Sequence, residues 1–293
     1  MYPEKVLTEI TNYKKVYRMI RKSAIEYVRD SGVQSLVLGI SGGIDSTLVA
    51  MLAREVCDEV GIPLLGRNIM IRPENAGGNG WEGNTVAMAV GENLCDDFQV
   101  IDRSEVFKTM WAALDGDLYV DDETEIQFKI RRGNAMARLR MVELYDLAQK
   151  NKGLVLSTDN MTEYLLGFWT LHGDVGDYGM IQQLWKTEVY ALTDWLLQEN
   201  PYSNEDINLA VRKSYDKTPT DGLGVSSSDF AQLGANSYEE IDFTLKKYIQ
   251  YTQSQYWNKD CFNELNANPV VIRHKESSFK RSNPFNIPRT KYI

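Results

Sequence analysis

The chain has 293 residues, 43% of them hydrophobic and 25% charged, with a formal net charge of −9 and a pI of about 5.0. This is the composition of an ordinary globular protein, and the length allows one large α/β domain or two small ones. The acidic balance argues against a nucleic-acid partner and for small-molecule substrates, although residues 131–140 carry four arginines.

No stretch approaches the ~20 apolar residues of a membrane span, and the N-terminus lacks a signal-peptide core. Cys57, Cys95 and Cys261 are odd in number and form no C-x-x-C pair, which predicts reduced thiols in a cytoplasmic protein, without disulfides or a zinc site. With no linker, low-complexity run or repeat, a single domain over residues 1–293 is expected.

In chain order, residues 13–29 carry Val16, Ile20, Ile25 and Val28 at helical spacing, and Gly32 stops the helix. Residues 35–40 (SLVLGI) form a short β-branched run ahead of a glycine pair, the pattern of a buried parallel strand. Helical spacing returns at 44–57. A strand over 64–71, a helix over 82–94, a strand over 98–101 and a helix over 104–114 follow. An acidic connection, 115–125, leads to a long helix over roughly 135–149 and a fourth strand at 153–157. Strands alternating with helices indicate βαβ units: a Rossmann-like α/β fold with a parallel sheet covered on both faces. Beyond residue 160 helices and loops dominate, and are expected to pack at the sheet edge and build the site.

The most specific motif is Gly39-Ile40-Ser41-Gly42-Gly43-Ile44-Asp45-Ser46, between the first strand and its helix. Glycines there bring backbone N–H groups close to a ligand, and the helix adds its own N-terminal donors and the positive end of its dipole. Ser41 and Ser46 add hydroxyl donors. Asp45 can hold a divalent cation bridging phosphates. No lysine follows the glycines, so this is not a Walker A loop. Gly39 to Gly43 also satisfies G-x-S-x-G, the nucleophile elbow of α/β hydrolases, but that reading needs a histidine base, and only His172 and His274 are present.

The motif resembles the S-G-G-x-D-S signature of the N-type ATP pyrophosphatases. Downstream, RGNAMARLRM and LVLSTDNMTEYLLGFWTLHGD (residues 132–141 and 154–174) are similar to the NAD synthetase pattern R-G-N-x-x-A-R-x-R-M … G-T-D-x-x-E-x-x-x-G-F-x-T-x-x-G-D. Lys186-Thr187, Pro219-Thr220, Leu223, Leu233-Gly234, Tyr238, Ile241-Asp242 and Lys280-Arg281 follow in the family's order. The resemblance spans nearly the whole chain and is weakest between Arg72 and Asp122.

It implies that Gly39, Ser41, Gly42, Gly43, Asp45 and Ser46, with Thr158, Lys186 and Thr220, bind ATP. Asp45 and Glu163 would hold Mg2+. Asn134, Arg138, Asp177 and Lys280 would contact nicotinic acid adenine dinucleotide (deamido-NAD), whose pyridine ring would stack on Phe168. Asp174 would lie near the reacting carboxylate, and Asp45, Asp174 and Lys186 would be catalytic. The activity implied is ATP-dependent amidation by ammonia through an acyl-adenylate, in a homodimer. A glutamine amidase domain is not expected, because too little chain lies outside the synthetase region. The alternatives are an N-type pyrophosphatase adenylating another small carboxylate, and a nucleotide-binding regulator without turnover.

Several positions depart from the pattern. Asn160 replaces a histidine, Leu171 stands where a lysine is common, and Phe279 precedes Lys280-Arg281 where a histidine is usual. Gly176-Asp177-Tyr178-Gly179 replaces G-G-x-D. His274-Lys275 offers an alternative alignment for the C-terminal motif. All of these are expected on the dinucleotide side, with the ATP and magnesium positions intact.

Overall fold

The computed structural model describes residues 5–72, 80–118, 122–199, 202, 204–217, 230, 233–254 and 259–283, with the side chains of 80–84 and 259 excepted. Five parallel strands form one sheet in the order β3-β2-β1-β4-β5: β1 Ser35–Gly39, β2 Leu64–Met70, β3 Asp97–Asp102, β4 Gly153–Ser157 and β5 Tyr178–Gly179. The helices preceding β4 are α1 Tyr13–Ser31, α2 Ile44–Val60, α3 Gly80–Leu94, α4 Ser104–Ala113 and α5 Glu125–Lys150. Those after it are α6 Met161–Leu166, α7 Lys186–Glu199, α8 Glu205–Asp216, α9 Tyr238–Gln253, α10 Lys259–Ala267 and α11 Pro269–Glu276, and a 3-10 turn covers Ser278–Ser282.

The sheet is buried on both faces because β1 and β2 carry apolar residues in succession. Leu36 and Leu38 point into a core shared with α1, α2, α3, α7 and α8, while Val37 packs on the opposite face with Leu65, Val155 and the α5 residues Met141, Leu144 and Ala148. Each fully buried Leu or Val contributes roughly 1.5–3 kcal/mol. A third cluster, Met161, Leu165, Leu166, Trp185, Ile241, Leu245, Ile249 and Val270, joins α6, α9 and α11 at the β4–β5 end. Of the C-terminal third, α6, α9 and α11 form this cluster, whereas α7 and α8 pack in the main core with α1, α2 and α3.

Two elements differ from the sequence reading. Helix α5 starts at Glu125, about ten residues before the predicted start. Its first turns carry Ile126, Phe128 and Ile130 at every second position, so the apolar spacing there does not have a helical period. The Thr124 hydroxyl accepts from Gln127 N, and the Gln127 side chain accepts from Thr124 N at 2.8 Å. That reciprocal capping box is legible in the sequence as Thr124-x-x-Gln127. Arg131 supports the turn by a two-pronged bond to Glu123. The second difference is β5, whose two residues are too few to show any period; they pair with Leu156 and Ser157.

The order 3-2-1-4-5 places a switch point between β1 and β4. Connections leave those strands toward opposite faces of the sheet and open a crevice at their carboxyl ends, where ligands bind in open α/β sheets.

Candidate active site

The loop after β1 lines one wall of this crevice. Gly42 has φ +76°, a backbone conformation that glycine adopts without penalty. A Cβ at Gly39 would lie 3.1 Å from Leu144 Cδ1, so the strand end passes close under α5. The loop is braced internally. Ser46 Oγ accepts from Ser41 N and donates to Gly43 O, and Ser41 Oγ lies 3.0 Å from Ser46 Oγ while accepting from Gly43 N. Gly43, the N-cap of α2, brings no capping side chain. The N–H groups of the first turn of α2 therefore face the crevice as anion donors.

The other wall is the segment after β4, Thr158 to Asn160, with the starts of α6 and α7. Across the crevice the Lys186 ammonium donates to Asp45 Oδ2 at 2.5 Å and to Glu163 Oε1 at 2.9 Å. Lys186 is the first residue of α7, and its backbone N is held by the Thr162 hydroxyl. Asn160, fully buried, caps α6. Its Oδ1 accepts from Glu163 N, its N faces Glu163 Oε2, and its Nδ2 donates to Asp45 Oδ1 at 2.8 Å. Burial drives the Lys186 pKa down, but the two carboxylates overcome it and hold the ammonium well above its ordinary value. Burial pushes the Glu163 carboxyl up, and the Lys186 charge opposes the rise. Asp159 is buried beside this group with its Oδ2 accepting from Ser157 Oγ. Desolvation, then the charges of Asp174 and Glu163, raises its pKa well above the carboxylate range.

Asp45 and Glu163 thus point one oxygen each at a single cation position, which the Lys186 ammonium fills. Among the described residues no three metal-ligating side chains converge. Two carboxylates without a full cage suit Mg2+, which keeps waters and takes its remaining ligands from substrate phosphates. The residues present fit that ion.

The residues expected on the acceptor side lie around the loop after α6. Three residues assigned to the dinucleotide fasten this loop. Asn134 accepts from the Thr170 hydroxyl at 2.7 Å, Arg138 donates twice to Leu171 O, and the Lys280 ammonium donates to Gly167 O and Trp169 O. Asp174 Oδ1 accepts from Thr170 N at 2.7 Å. The carboxyl of Asp174 is reached by solvent, yet protein around it raises its pKa by desolvation, against the Thr170 N–H and the charges of Lys280 and Arg140. Lys280 is pushed down by burial and by Arg273, with Asp174 opposing. Phe168 is half-buried and carries the Arg273 guanidinium 5.0 Å from its ring centroid. Asp177 has both oxygens engaged, one by Tyr145 Oη and the other by Val155 N, so here it joins α5 to the β4–β5 edge. Thr158 is half-buried just past β4. Thr220 lies outside the described residues.

The structure corrects the expectation that every departure falls on the dinucleotide side. Asn160 touches Asp45 and Glu163, the two residues expected to hold magnesium. Its capping role was readable as Asn160-x-x-Glu163. The C-terminal ambiguity also resolves. His274 is buried, with Nδ1 2.7 Å from Leu165 O, and Lys275 bonds Asn266 on the surface, whereas Lys280 reaches the crevice loop. Arg140 is a residue to which the sequence assigns no role. It is half-buried, bonded to Ile69 O at the end of β2, and acts electrostatically on Asp174. Spacing along α5 alone does not reveal this. Finally, among the described residues no histidine bonds Ser41: His172 faces Asn283 and His274 faces Leu165 O, which removes the nucleophile-elbow reading.

A parallel α/β sheet with a glycine-rich loop, a carboxylate pair and a lysine gathered at its switch point defines an α/β protein with a ligand-type crevice at the carboxyl ends of its strands. Comparison with known proteins narrows the class. The NAD synthase family model matches residues 16–284. The chain is 31% identical over 274 residues to the NH(3)-dependent NAD(+) synthetase of Pyrococcus furiosus, covering 92% of this chain and 91% of that one. Among solved structures it resembles NMN synthetase from Francisella tularensis (TM-score 0.70, 23% identity, 95% of this chain and 99% of that one). It also resembles the NH3-dependent NAD synthetase from Campylobacter jejuni (TM-score 0.65, 22% identity, 95% and 100%). The chain belongs to the NAD synthase family, whose members are carbon–nitrogen-bond-forming ligases.

Proposed function

We propose that this chain amidates nicotinic acid adenine dinucleotide to NAD, using ATP and ammonia, through an acyl-adenylate. The observation that carries the reading is the convergence of the Ser41–Ser46 loop with Asp45, Glu163 and Lys186 at the switch point, in a chain that matches the synthetase family over most of its length.

The loop N–H groups and the Ser41 and Ser46 hydroxyls hold the phosphates that leave as pyrophosphate. Asp45 and Glu163 would hold a magnesium ion, which would supply neutralisation of the charge that grows on the leaving group. Lys186 donates to the oxygens around the α-phosphorus as the substrate carboxylate attacks, and Thr158 and Thr220 complete the nucleotide contacts. Asn134, Arg138, Asp177 and Lys280 orient the dinucleotide, with Phe168 under its pyridine ring. Ammonium gives a proton to Asp174 and attacks the activated carbonyl, so AMP departs and the amide remains. No histidine base is needed, because positioning and charge stabilisation do the work.

A homodimer is part of the proposal. Val142 and Tyr145 of α5, 65% and 40% exposed, and Val106 of α4, 48% exposed, offer apolar surface for a two-fold partner. A reducing, cytoplasmic setting suits three free cysteines, and among the described residues no helix is long and apolar enough to cross a membrane.

A second reading is formation of NMN, the product named for the Francisella tularensis enzyme. Leu171 favours it, because it stands where a lysine is common in the dinucleotide-amidating pattern. The test is an assay with magnesium-ATP and ammonium, offering the dinucleotide and the mononucleotide acids separately, with mass detection of the amide and of AMP. NAD with one AMP per turnover supports the first reading, and NMN alone replaces it with the second. ATP cleavage with neither acid would point to another carboxylate, and no cleavage at all to a regulator.

A further inference from the structure

In this fold the cation position between Asp45 and Glu163 is filled by the protein's own ammonium. We propose that Lys186 is a tethered counter-ion standing in the place of the metal, so that the carboxylate pair takes a divalent cation only together with a triphosphate. This rests on the ATP site proposed above.

The geometry makes the exchange necessary. Lys186 Nζ lies 2.5 Å from Asp45 Oδ2 and 2.9 Å from Glu163 Oε1, and its side chain is 4% exposed. Magnesium would need those same two oxygens at about 2.0–2.1 Å. Two cations cannot share that corner. The other two oxygens are already engaged by Asn160, which holds Asp45 Oδ1 and faces Glu163 Oε2, so the oxygens aimed at the open corner are the two that the ammonium occupies. Asn160 is fully buried and is itself fixed as the α6 N-cap. Nor can the lysine leave as a whole. Its backbone N is bound to Thr162 Oγ1, and Thr187 beside it is bound through N and hydroxyl to the buried Asp242. Only the flexible stem can move, carrying the ammonium a short way within the crevice.

The charges decide when it moves. A free divalent cation entering alone would displace the ammonium into buried surroundings with no counter-ion, which is strongly unfavourable. A triphosphate on the Ser41–Ser46 loop brings oxygens to which the displaced ammonium can turn, while the metal satisfies both carboxylates. Metal entry and the arrival of Lys186 at the phosphates then become one event. The lysine reaches the reacting phosphorus only after the metal has replaced it, and the empty enzyme keeps its carboxylates neutralised.

The test is Mn2+ binding followed by the free-ion electron paramagnetic resonance signal, on wild type, Lys186→Met and Lys186→Gln, with and without a non-hydrolysable α,β-methylene ATP analogue. Wild type should bind one Mn2+ per chain with the analogue and at least about tenfold more weakly without it. Both variants should bind Mn2+ without nucleotide at least about tenfold more tightly than wild type does. Should either variant fail to fold, melting of the wild type decides: Mg2+ alone should leave its Tm unchanged, and Mg2+ with the analogue should raise it. Tight Mn2+ binding, or a Tm rise with Mg2+ alone, in nucleotide-free wild type would overturn the counter-ion role and leave the ATP site standing. Folded variants without gained Mn2+ affinity would do the same. No analogue binding to wild type with either metal would overturn the ATP site and the proposal together.

Discussion

On the phosphate side of the crevice the chemistry-bearing groups stand on the ends of regular elements. Asp45 opens α2, Glu163 sits in the first turn of α6, Lys186 begins α7, and Asn160 locks two of them together. On the acceptor side the corresponding groups are borne by or bonded to a loop, and Asn134, Arg138 and Lys280 use their donors and acceptors on that loop itself. The first region is assembled, with both carboxylates paired to one ammonium, before any ligand arrives. The second must exchange bonds to its own backbone for bonds to the substrate, which lowers affinity by the cost of reorganisation. Rate should therefore depend on the first region and acceptor choice on the second.

The sharpest way to break this contrast is to disable one carboxylate of the pair. Asp45→Asn or Glu163→Gln should lower kcat for AMP release about 10^3-fold, since several kcal/mol of charge stabilisation are lost and each 1.4 kcal/mol is tenfold. An effect confined to the KM of the acceptor would contradict it.

Asp174, beside the loop after α6, is the proton acceptor of the proposed mechanism. Asp174→Asn should slow amide formation about 10^2-fold or more while leaving ATP-analogue affinity intact by calorimetry. The sign of its pH dependence follows from its raised pKa. The base must be deprotonated, so the wild-type rate falls as pH drops through a value higher than that of an ordinary aspartate. The variant should lose that acidic limb; a retained limb assigns the proton transfer elsewhere.

The bed behind the acceptor loop has its own pH response. Burial lowers the His274 pKa from 6.5 to about 4, so the folded chain refuses a proton that the unfolded chain accepts. The stability it supports is complete above pH 6.5 and is lost as pH falls toward 4. Between pH 7 and pH 5 wild type should lose about 2 kcal/mol relative to His274→Gln in urea unfolding. Parallel curves would show that His274 is not buried neutral.

The smallest effect probes acceptor choice. Leu171→Lys should lower the KM for the dinucleotide about fivefold, by roughly 1 kcal/mol, and leave the mononucleotide KM unchanged. Equal changes for both would place residue 171 away from the second phosphate.

The contrast also explains what the sequence could reveal. The sheet, its order-defining strands and the phosphate loop are legible because Ser35–Gly39 and Leu64–Met70 are apolar runs and the glycine pair stands between strand and helix. The early start of α5 escaped apolar spacing, although the Thr124–Gln127 cap encodes it. Asn160 shows the limit of reading by resemblance: compared with a histidine it looks like a loss, while in the fold it caps α6 and orients Asp45. Arg140, Lys280 and Asp174 meet only because α5, the 3-10 turn and the loop after α6 converge, a relation carried by no local pattern.

The central claim, that this crevice joins a carboxylate to the α-phosphorus of ATP, is tested most directly by isotope transfer. Nicotinic acid adenine dinucleotide labelled with oxygen-18 in its carboxyl group would be turned over with magnesium-ATP and ammonium, and the AMP analysed by mass. The acyl-adenylate route predicts AMP carrying one labelled oxygen and pyrophosphate carrying none. Unlabelled AMP beside labelled amide, or label in released phosphate, would contradict it.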